Sequence, residues 1–345
     1  MRLNLTHRLL DSFGFDGAAP GLLRAYSLSA LAADRGESPS LRLHRLSLAA
    51  LRAVIDELDQ SVGDGAPWIL LKGEPLEERL FGRELARSTG DVDLLVLPGD
   101  LEFFRDRLAG LGYFRGQQPR MWAHNQEAWT HVEHRAIIEL HWSPALPGVP
   151  TPPLHELFET AVPFRFPNGA NGRRKDLTVT VLRDDWLFAH LALHFHHHFG
   201  FAKGLLDIAG WCDRLAGRVD LPALAADLKR VGMWGIAQWP LHTISRLTGE
   251  VPPLFDPAPS APVRALAAAS ARAMDGCLRR APRSEVEASL VSTMPLVGPW
   301  RGVPMQAATM LVLDDWSTRA RGVLQPVLLG PHRVGRMIIE SNLYR

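Results

Sequence analysis

The sequence predicts an α+β fold: a small mixed β-sheet core with packed helices, set between N-terminal and C-terminal regions that are mainly helical. Three observations predict it. Between residues 63 and 182, short apolar runs of strand length alternate with helical stripes. Before residue 63 the apolar residues recur at helical spacing. From Asp184 onward the pattern is helical again, broken only by the Pro-rich stretch "VPPLFDPAPSAP" at 251–262. The chain therefore divides into an N-terminal helical region (1–62), a sheet domain (63–182), a helical region (183–250) and a C-terminal helical region (251–345), whose tail is rich in Ala, Leu and Arg.

Each element has a local reason. In "LHRLSLAALRAVIDELD", Leu43, Leu46, Leu51, Val54, Ile55 and Leu58 fall mostly on one helical face. "PWILL" is a short apolar strand ending at Lys72-Gly73. "EPLEERLFGREL" follows as a helix, with Pro75 in the first turn, where its missing N–H costs nothing. "DVDLLVLP" is a second strand stopped by Pro98. Asp100 is placed to cap a helix carrying Leu101, Phe104, Leu108 and Leu111 and ending near Gly112. "EAWTHVEH" and "RAIIELHW" form a strand pair about a tight turn. "PFRFPNGANGRRKDLTVTVL" contains two short strands around a Gly- and Asn-rich loop. Strands followed by helices, then by strands, make a mixed sheet with helices packed on it.

Composition narrows the functional classes. The 345 residues are 46% hydrophobic and 22% charged, which supports a substantial core and excludes disorder. Lys plus Arg total 38 against 37 for Asp plus Glu, so bulk charge does not drive nucleic-acid binding. Cys212 and Cys277 form no metal-type spacing, and the expectation is a reduced, cytoplasmic protein. The N-terminal residues lack the apolar core of a secretory leader, and no run reaches the roughly 18 apolar residues of a membrane span.

The candidate site begins at "DVD". In a strand, Asp91 and Asp93 point to the same face, and two unit charges about 6 Å apart repel by about 3 kcal/mol at an effective dielectric of 20. A divalent cation would convert that repulsion into attraction, and hard cations favour one or two carboxylates plus substrate phosphates. The pair fits equally a loop end and a solvated strand edge. Three features favour chemistry. Gly73 lies between a strand and a helix start, where backbone N–H groups hold phosphate. Arg87 and Ser88 precede the acidic pair and are placed to meet a polyphosphate. Glu139 sits in another apolar strand, with Ile137 and His141 on its face, and a strand of that kind rarely carries a carboxylate without a partner.

The stretches "LLKGEPLEERLF", "ARSTGDVDLLV", "GY" at 112–113 and "IIELHW" resemble the uncharacterised nucleotidyltransferase family of the polymerase-beta-like superfamily. The resemblance covers roughly residues 40–250. It implies a glycine turn at Gly73, metal-holding acids at Asp91 and Asp93, and a third acid at Glu139. The implied reaction moves a nucleoside monophosphate from an NTP to a hydroxyl of a small-molecule or modified-peptide acceptor, with pyrophosphate released. Two Mg²⁺ ions (or Mn²⁺) are implied as cofactors, held by Asp91, Asp93 and Glu139, with Glu139 also helping to deprotonate the acceptor. Lys72, Gly73, Arg87 and Ser88 are the implied nucleotide-binding residues. One departure stands out: Lys72-Gly73-Glu74 replaces the usual Gly-Ser or Gly-Gly, so the hydroxyl that touches a terminal phosphate is missing. The alternative is a nucleotide-binding or interaction protein of the same fold that has lost turnover. No membrane or nucleic-acid partner is expected.

A second cluster lies in "DDWLFAHLALHFHHHFGFAKGLLDIAGW". His190, His194 and His198 recur every four residues, near one helical face. The resemblance includes a His-x-x-x-His helix followed by an Asp, here His194, His198 and Asp207, and with His141 these are read as the acceptor side. Ordinary hydrogen-bonded helix histidines and a zinc site are the other readings; the latter lacks a Cys or Glu to complete its ligands.

Overall fold

The structure is a computed structural model that describes residues 4–12, 39–82, 91–116, 125–131, 133, 136–145, 149–166, 177–197 and 202–278. The chain forms two compact units. One comprises Ser27–Pro144 and Pro152–Leu187; the other comprises Met1–Tyr26, Ala145–Thr151 and Phe188–Arg345. The helical pattern expected beyond residue 278 lies outside the described residues.

The first unit is built on a seven-stranded mixed sheet. Its strands are β1 (Trp68–Leu70), β2 (Asp91–Val96), β3 (Phe114–Arg115), β4 (Gln126–His131), β5 (Ala136–His141), β6 (Val162–Arg165) and β7 (Thr178–Val181), in the spatial order β3-β4-β5-β2-β1-β7-β6. β2 runs parallel to β5 and antiparallel to β1; β1 runs parallel to β7. The helices of this unit are α2 (Pro39–Val62), α3 (Glu74–Phe81), α4 (Leu101–Gly110) and α5 (Leu154–Thr160). β3 and α5 extend the sequence reading, which contained neither.

One face of the sheet holds the core. Trp68 and Leu70 of β1, Val92, Leu94 and Val96 of β2, Trp129 of β4, and Ile138 and Leu140 of β5 all turn toward α2 and α4. The helices answer with Leu51, Val54, Ile55, Leu58 and Val62, and with Phe104 and Leu108. The period of two in the strands then sends Asp91, Asp93, Ile137, Glu139 and His141 to the other face. Asp100 stands at the N-cap of α4 but its side chain makes no capping bond there; a 3₁₀ turn over Pro98–Asp100 leads into the helix instead.

The core face also carries a buried carboxylate. Glu127 of β4 is fully buried, and Arg105 of α4 grips it with two bonds of 2.9 Å. The Trp129 indole N–H donates to it at 3.0 Å, and Arg115 approaches to 3.0 Å. Burial pushes the Glu127 carboxyl up, but the Arg105 and Trp129 hydrogen bonds together with the Arg105 and Arg115 charges hold it below its ordinary value.

The second unit is helical: α1 (Leu5–Ser12), most of α6 (Asp184–His197), α7 (Ala202–Arg214), α8 (Leu221–Arg230), α9 (Trp234–Thr248) and α10 (Ala261–Leu278). Its core is aromatic. Phe188 packs on Trp211 with ring centroids 4.6 Å apart, and Phe195 on Trp239 at 4.9 Å. Trp211 and Trp239 are fully buried. α1 is held by a remote residue: the Asp213 carboxylate accepts the Leu5 and Thr6 N–H groups, both at 2.8 Å, and the Thr6 hydroxyl at 2.7 Å. It thus serves the orphan donors that open a helix. Asp213→Ala is expected to cost about 1–2 kcal/mol, the value of a good N-cap. Thermal melting checks the cost, and faster amide exchange confined to residues 5–8 checks its location.

Candidate active site

The site is assembled at the ends of three adjacent strands. β2 and β5 lie parallel in a register that pairs Asp93 with Glu139 directly, and both carboxylates leave the sheet on one face. A one-residue slip would send Glu139 into the core, so the apolar set Ile138 and Leu140 fixes the acid's direction. β1 joins from the other side. The Leu71 N–H donates to the Asp93 carbonyl at 2.9 Å, extending the ladder to the edge of the turn that carries Lys72 and Gly73.

Asp93, Glu139 and His141 each offer a ligand atom within 4.8 Å of the others. The His141 Nε2 lies 3.6 Å from Glu139 Oε2 and 3.9 Å from Asp93 Oδ2. His141, read from sequence as an acceptor-side residue, thus stands among the acids. Asp93 is 2% exposed, and its Oδ1 has no hydrogen-bond partner. Nor does the His141 Nε2. Orphaned buried polar atoms are uncommon in folded proteins, and a bound ion or water is the usual partner they take. Asp91, half-buried at the start of β2, lies one step further out on the same face.

Lys72 is seated on these acids. Its Nζ is 2.6 Å from Asp93 Oδ2 and 3.6 Å from Asp91 Oδ2. Burial pushes the Lys72 ammonium down, but the Asp93, Asp91 and Glu139 charges more than reverse this and hold it above its ordinary value. Burial pushes the Asp93 carboxyl up; the Lys72 charge works against this, while Asp91 and Glu139 add to it. The repulsion anticipated between Asp91 and Asp93 is therefore relieved in part from within the chain.

Gly73 has φ +98° and ψ −155°, backbone that only glycine adopts without strain, and it caps the N-terminus of α3. It lines one cavity with Lys72, Glu74, Asp91 and Arg52. The carboxylate of Glu74, which follows Gly73, is bound by Arg52 of α2 through both guanidinium Nε (3.1 Å) and Nη2. Burial raises the Glu74 carboxyl and Arg52 works against that rise. Arg52 also lies over the Phe166 ring, 5.0 Å from its centroid. The sequence reading passed over Arg52. Sequence offered no signal for it, since Glu74 in a first helical turn is accounted for by the helix dipole alone.

The remaining candidates are distributed differently. His194 stacks on His190 with centroids 6.2 Å apart, and Asp207 is buried; both belong to the helical unit. Arg87, Ser88 and His198 lie outside the described residues. Among the described residues no helix is long and apolar enough to cross a membrane.

Comparison with curated proteins and with solved structures gives no match. A family model does match, over residues 41–249, a span that contains every acid of the site. A glycine turn, two acids on one strand and a third in register beside them are thus set in a chain that belongs to the uncharacterised nucleotidyltransferase family.

Proposed function

We propose that this protein is a Mg²⁺-dependent nucleotidyltransferase that moves a nucleoside monophosphate from an NTP to a hydroxyl of a small-molecule or modified-peptide acceptor, releasing pyrophosphate. The observation that carries the reading is the buried Asp93 Oδ1, without a hydrogen-bond partner, in a cluster where Glu139 and His141 present ligand atoms within 4.8 Å. Asp91, Asp93 and Glu139 would hold the divalent ions, and His141 is available as a nitrogen ligand. Bound there, the ions supply charge neutralisation for an in-line displacement. The chain's own groups do the rest. Glu139, on the outer side of the cluster, accepts the proton of the acceptor hydroxyl. Lys72, and the Glu74 backbone N–H that precedes Pro75, bind phosphate oxygens at the start of α3; the Leu76 and Glu77 N–H groups are engaged by the Gly73 carbonyl.

The test is release of pyrophosphate from each of the four NTPs, with and without Mg²⁺, over a pool of hydroxyl-bearing metabolites and peptides. Turnover that requires both metal and an acceptor supports the reading. Metal-dependent NTP binding without pyrophosphate release across the pool would replace it with a nucleotide-binding protein that lacks turnover.

The glycine turn yields a separate expectation. A Cβ built on Gly73 meets only Pro75 Cδ at 3.9 Å, so crowding within the protein is not the difficulty. The positive φ is, and Gly73→Ala is expected to cost about 1–3 kcal/mol of local strain. The strain falls on the turn that meets phosphate. NTP affinity should therefore drop about tenfold, a change that needs only 1.4 kcal/mol of it, while the melting temperature shifts by a few degrees. Nucleotide titration and thermal melting of the same preparation check both.

A further inference from the structure

Lys72 raises a question that the transfer reaction leaves open. A phosphate-binding cation belongs at the turn, yet here the ammonium rests on the acids, 2.6 Å from Asp93 and 3.6 Å from Asp91. These are the same carboxylates that would hold the divalent ion. When all are ionised, Asp91, Asp93 and Glu139 carry three negative charges, and one ammonium leaves the cluster short of neutral. A dication answers that deficit better than a lysine does.

Residue type sharpens the point. The chain has only four lysines, at positions 72, 175, 203 and 229, among its 38 basic residues. Where this sequence needs a fixed ion pair it uses arginine, as in the Arg105 grip on Glu127 and the pairing of Arg52 with Glu74. At the acidic cluster it uses the other cation, a compact point charge on a flexible four-carbon stem that can enter a cation's place and withdraw. The turn that carries Lys72 also carries the glycine of the phosphate-binding position, so a withdrawn ammonium remains beside the phosphates.

We propose that Lys72 is an exchangeable counter-cation: it holds the place of the divalent ion on Asp91 and Asp93, is expelled when that ion binds, and is thereby delivered to the phosphates of the incoming nucleotide. The proposal rests on the metal-dependent reading above and adds an order to it. Metal alone binds against the lysine. Metal with nucleotide binds with it, because the expelled charge then finds a partner. The two ligands are therefore positively coupled through one side chain.

The test compares wild type, Lys72→Met and Lys72→Arg in the full-length protein, titrated with Mn²⁺ by calorimetry without nucleotide. Lys72→Met should bind Mn²⁺ about tenfold more tightly than wild type, within the usual range of a site-to-site coupling, and Lys72→Arg should stay close to wild type. With Mn²⁺ saturating, Lys72→Met should bind a non-hydrolysable NTP more weakly, so that the two titrations change in opposite directions. Wild type provides a readout independent of any substitution. Amine labelling followed by mass spectrometry should show Lys72 becoming more reactive when Mn²⁺ is added, with Lys203 and Lys229 unchanged. Equal Mn²⁺ affinity in all three proteins, or Lys72 labelling that Mn²⁺ leaves unaltered, overturns the exchange while the metal site stands. Absence of Mn²⁺ uptake by every variant, with or without nucleotide, overturns the metal-dependent reading and the exchange with it.

Discussion

Asp93→Asn should nearly abolish nucleotidyl transfer while leaving a folded protein. The carboxylate is buried, paired in register with Glu139, and has one oxygen on Lys72 and one without a hydrogen-bond partner. An amide keeps the shape but supplies no negative charge to hold a divalent ion. Metal-derived charge stabilisation is worth several kcal/mol, so kcat should fall by about a thousandfold or more. The core face of β2, formed by Val92, Leu94 and Val96, is untouched, and circular dichroism should match wild type. Mg²⁺-dependent nucleotide binding should weaken in parallel, whereas any metal-independent binding should persist. Single-turnover transfer and nucleotide titration with and without Mg²⁺ measure both. Retention of more than a tenth of the wild-type rate in a folded Asp93→Asn protein would remove this residue from the site.

Glu127→Gln is the opposite case, in which an acid is lost from the same sheet and the fold suffers first. Glu127 is fully buried on the core face, and Arg105, with a quarter of its side chain exposed, donates two bonds to it. Removing the buried carboxylate leaves Arg105 with the exposed Glu102 as its remaining charged partner, and the expected loss is at the lower end for breaking a buried pair, about 3 kcal/mol. The sign with pH follows from the depressed carboxyl. Its contribution is complete above the ordinary glutamate value of about 4.3 and disappears as the pH falls through the lower folded value. Wild-type stability should therefore fall on acidification below about pH 4.3, partly through Glu127. Glu127→Gln should lack that component and show a flatter profile there. Urea denaturation at several pH values measures both the loss and the slope. If Glu127→Gln matched wild type at pH 7, the buried pair would not be holding β4 to α4.

Comparing these two acids shows what the sequence makes legible. Asp93 and Glu139 could be read because each interrupts an apolar strand whose alternate residues, Val92 and Leu94 or Ile138 and Leu140, define the core side, so the acids share the other. The register between the strands is long-range, but it follows from the same apolar alternation once the strands are parallel neighbours. Glu127 lies in "EAWTHVEH" on the same side as Trp129, and nothing local reveals that Arg105, 22 residues earlier, will neutralise it. The seat of Lys72 was hidden for a similar reason. Its place in the turn was evident, but the distance from that turn to Asp93 depends on β1 lying against β2. Arg52 was harder still, since it belongs to a helix whose apolar stripe explains the segment without it. β3 escaped because two residues carry no periodicity, and α5 because Pro152 and Pro153 suggest a loop as readily as a helix start.

The strand order β3-β4-β5-β2-β1-β7-β6 also decides which backbone is offered to other molecules. The site-bearing strands β5, β2 and β1 are interior, and among the described residues β3 and β6 stand at the two edges of the sheet. β3 is two residues long, too short to template a foreign strand. β6 is four residues long and carries Pro163, which has no N–H to donate, followed two residues later by the charged Arg165. A sheet finished in this way resists edge-to-edge polymerisation, a hazard for any seven-stranded sheet with open borders. Pro163→Thr would restore the missing donor to β6, and would turn a quiet border into an adhesive one.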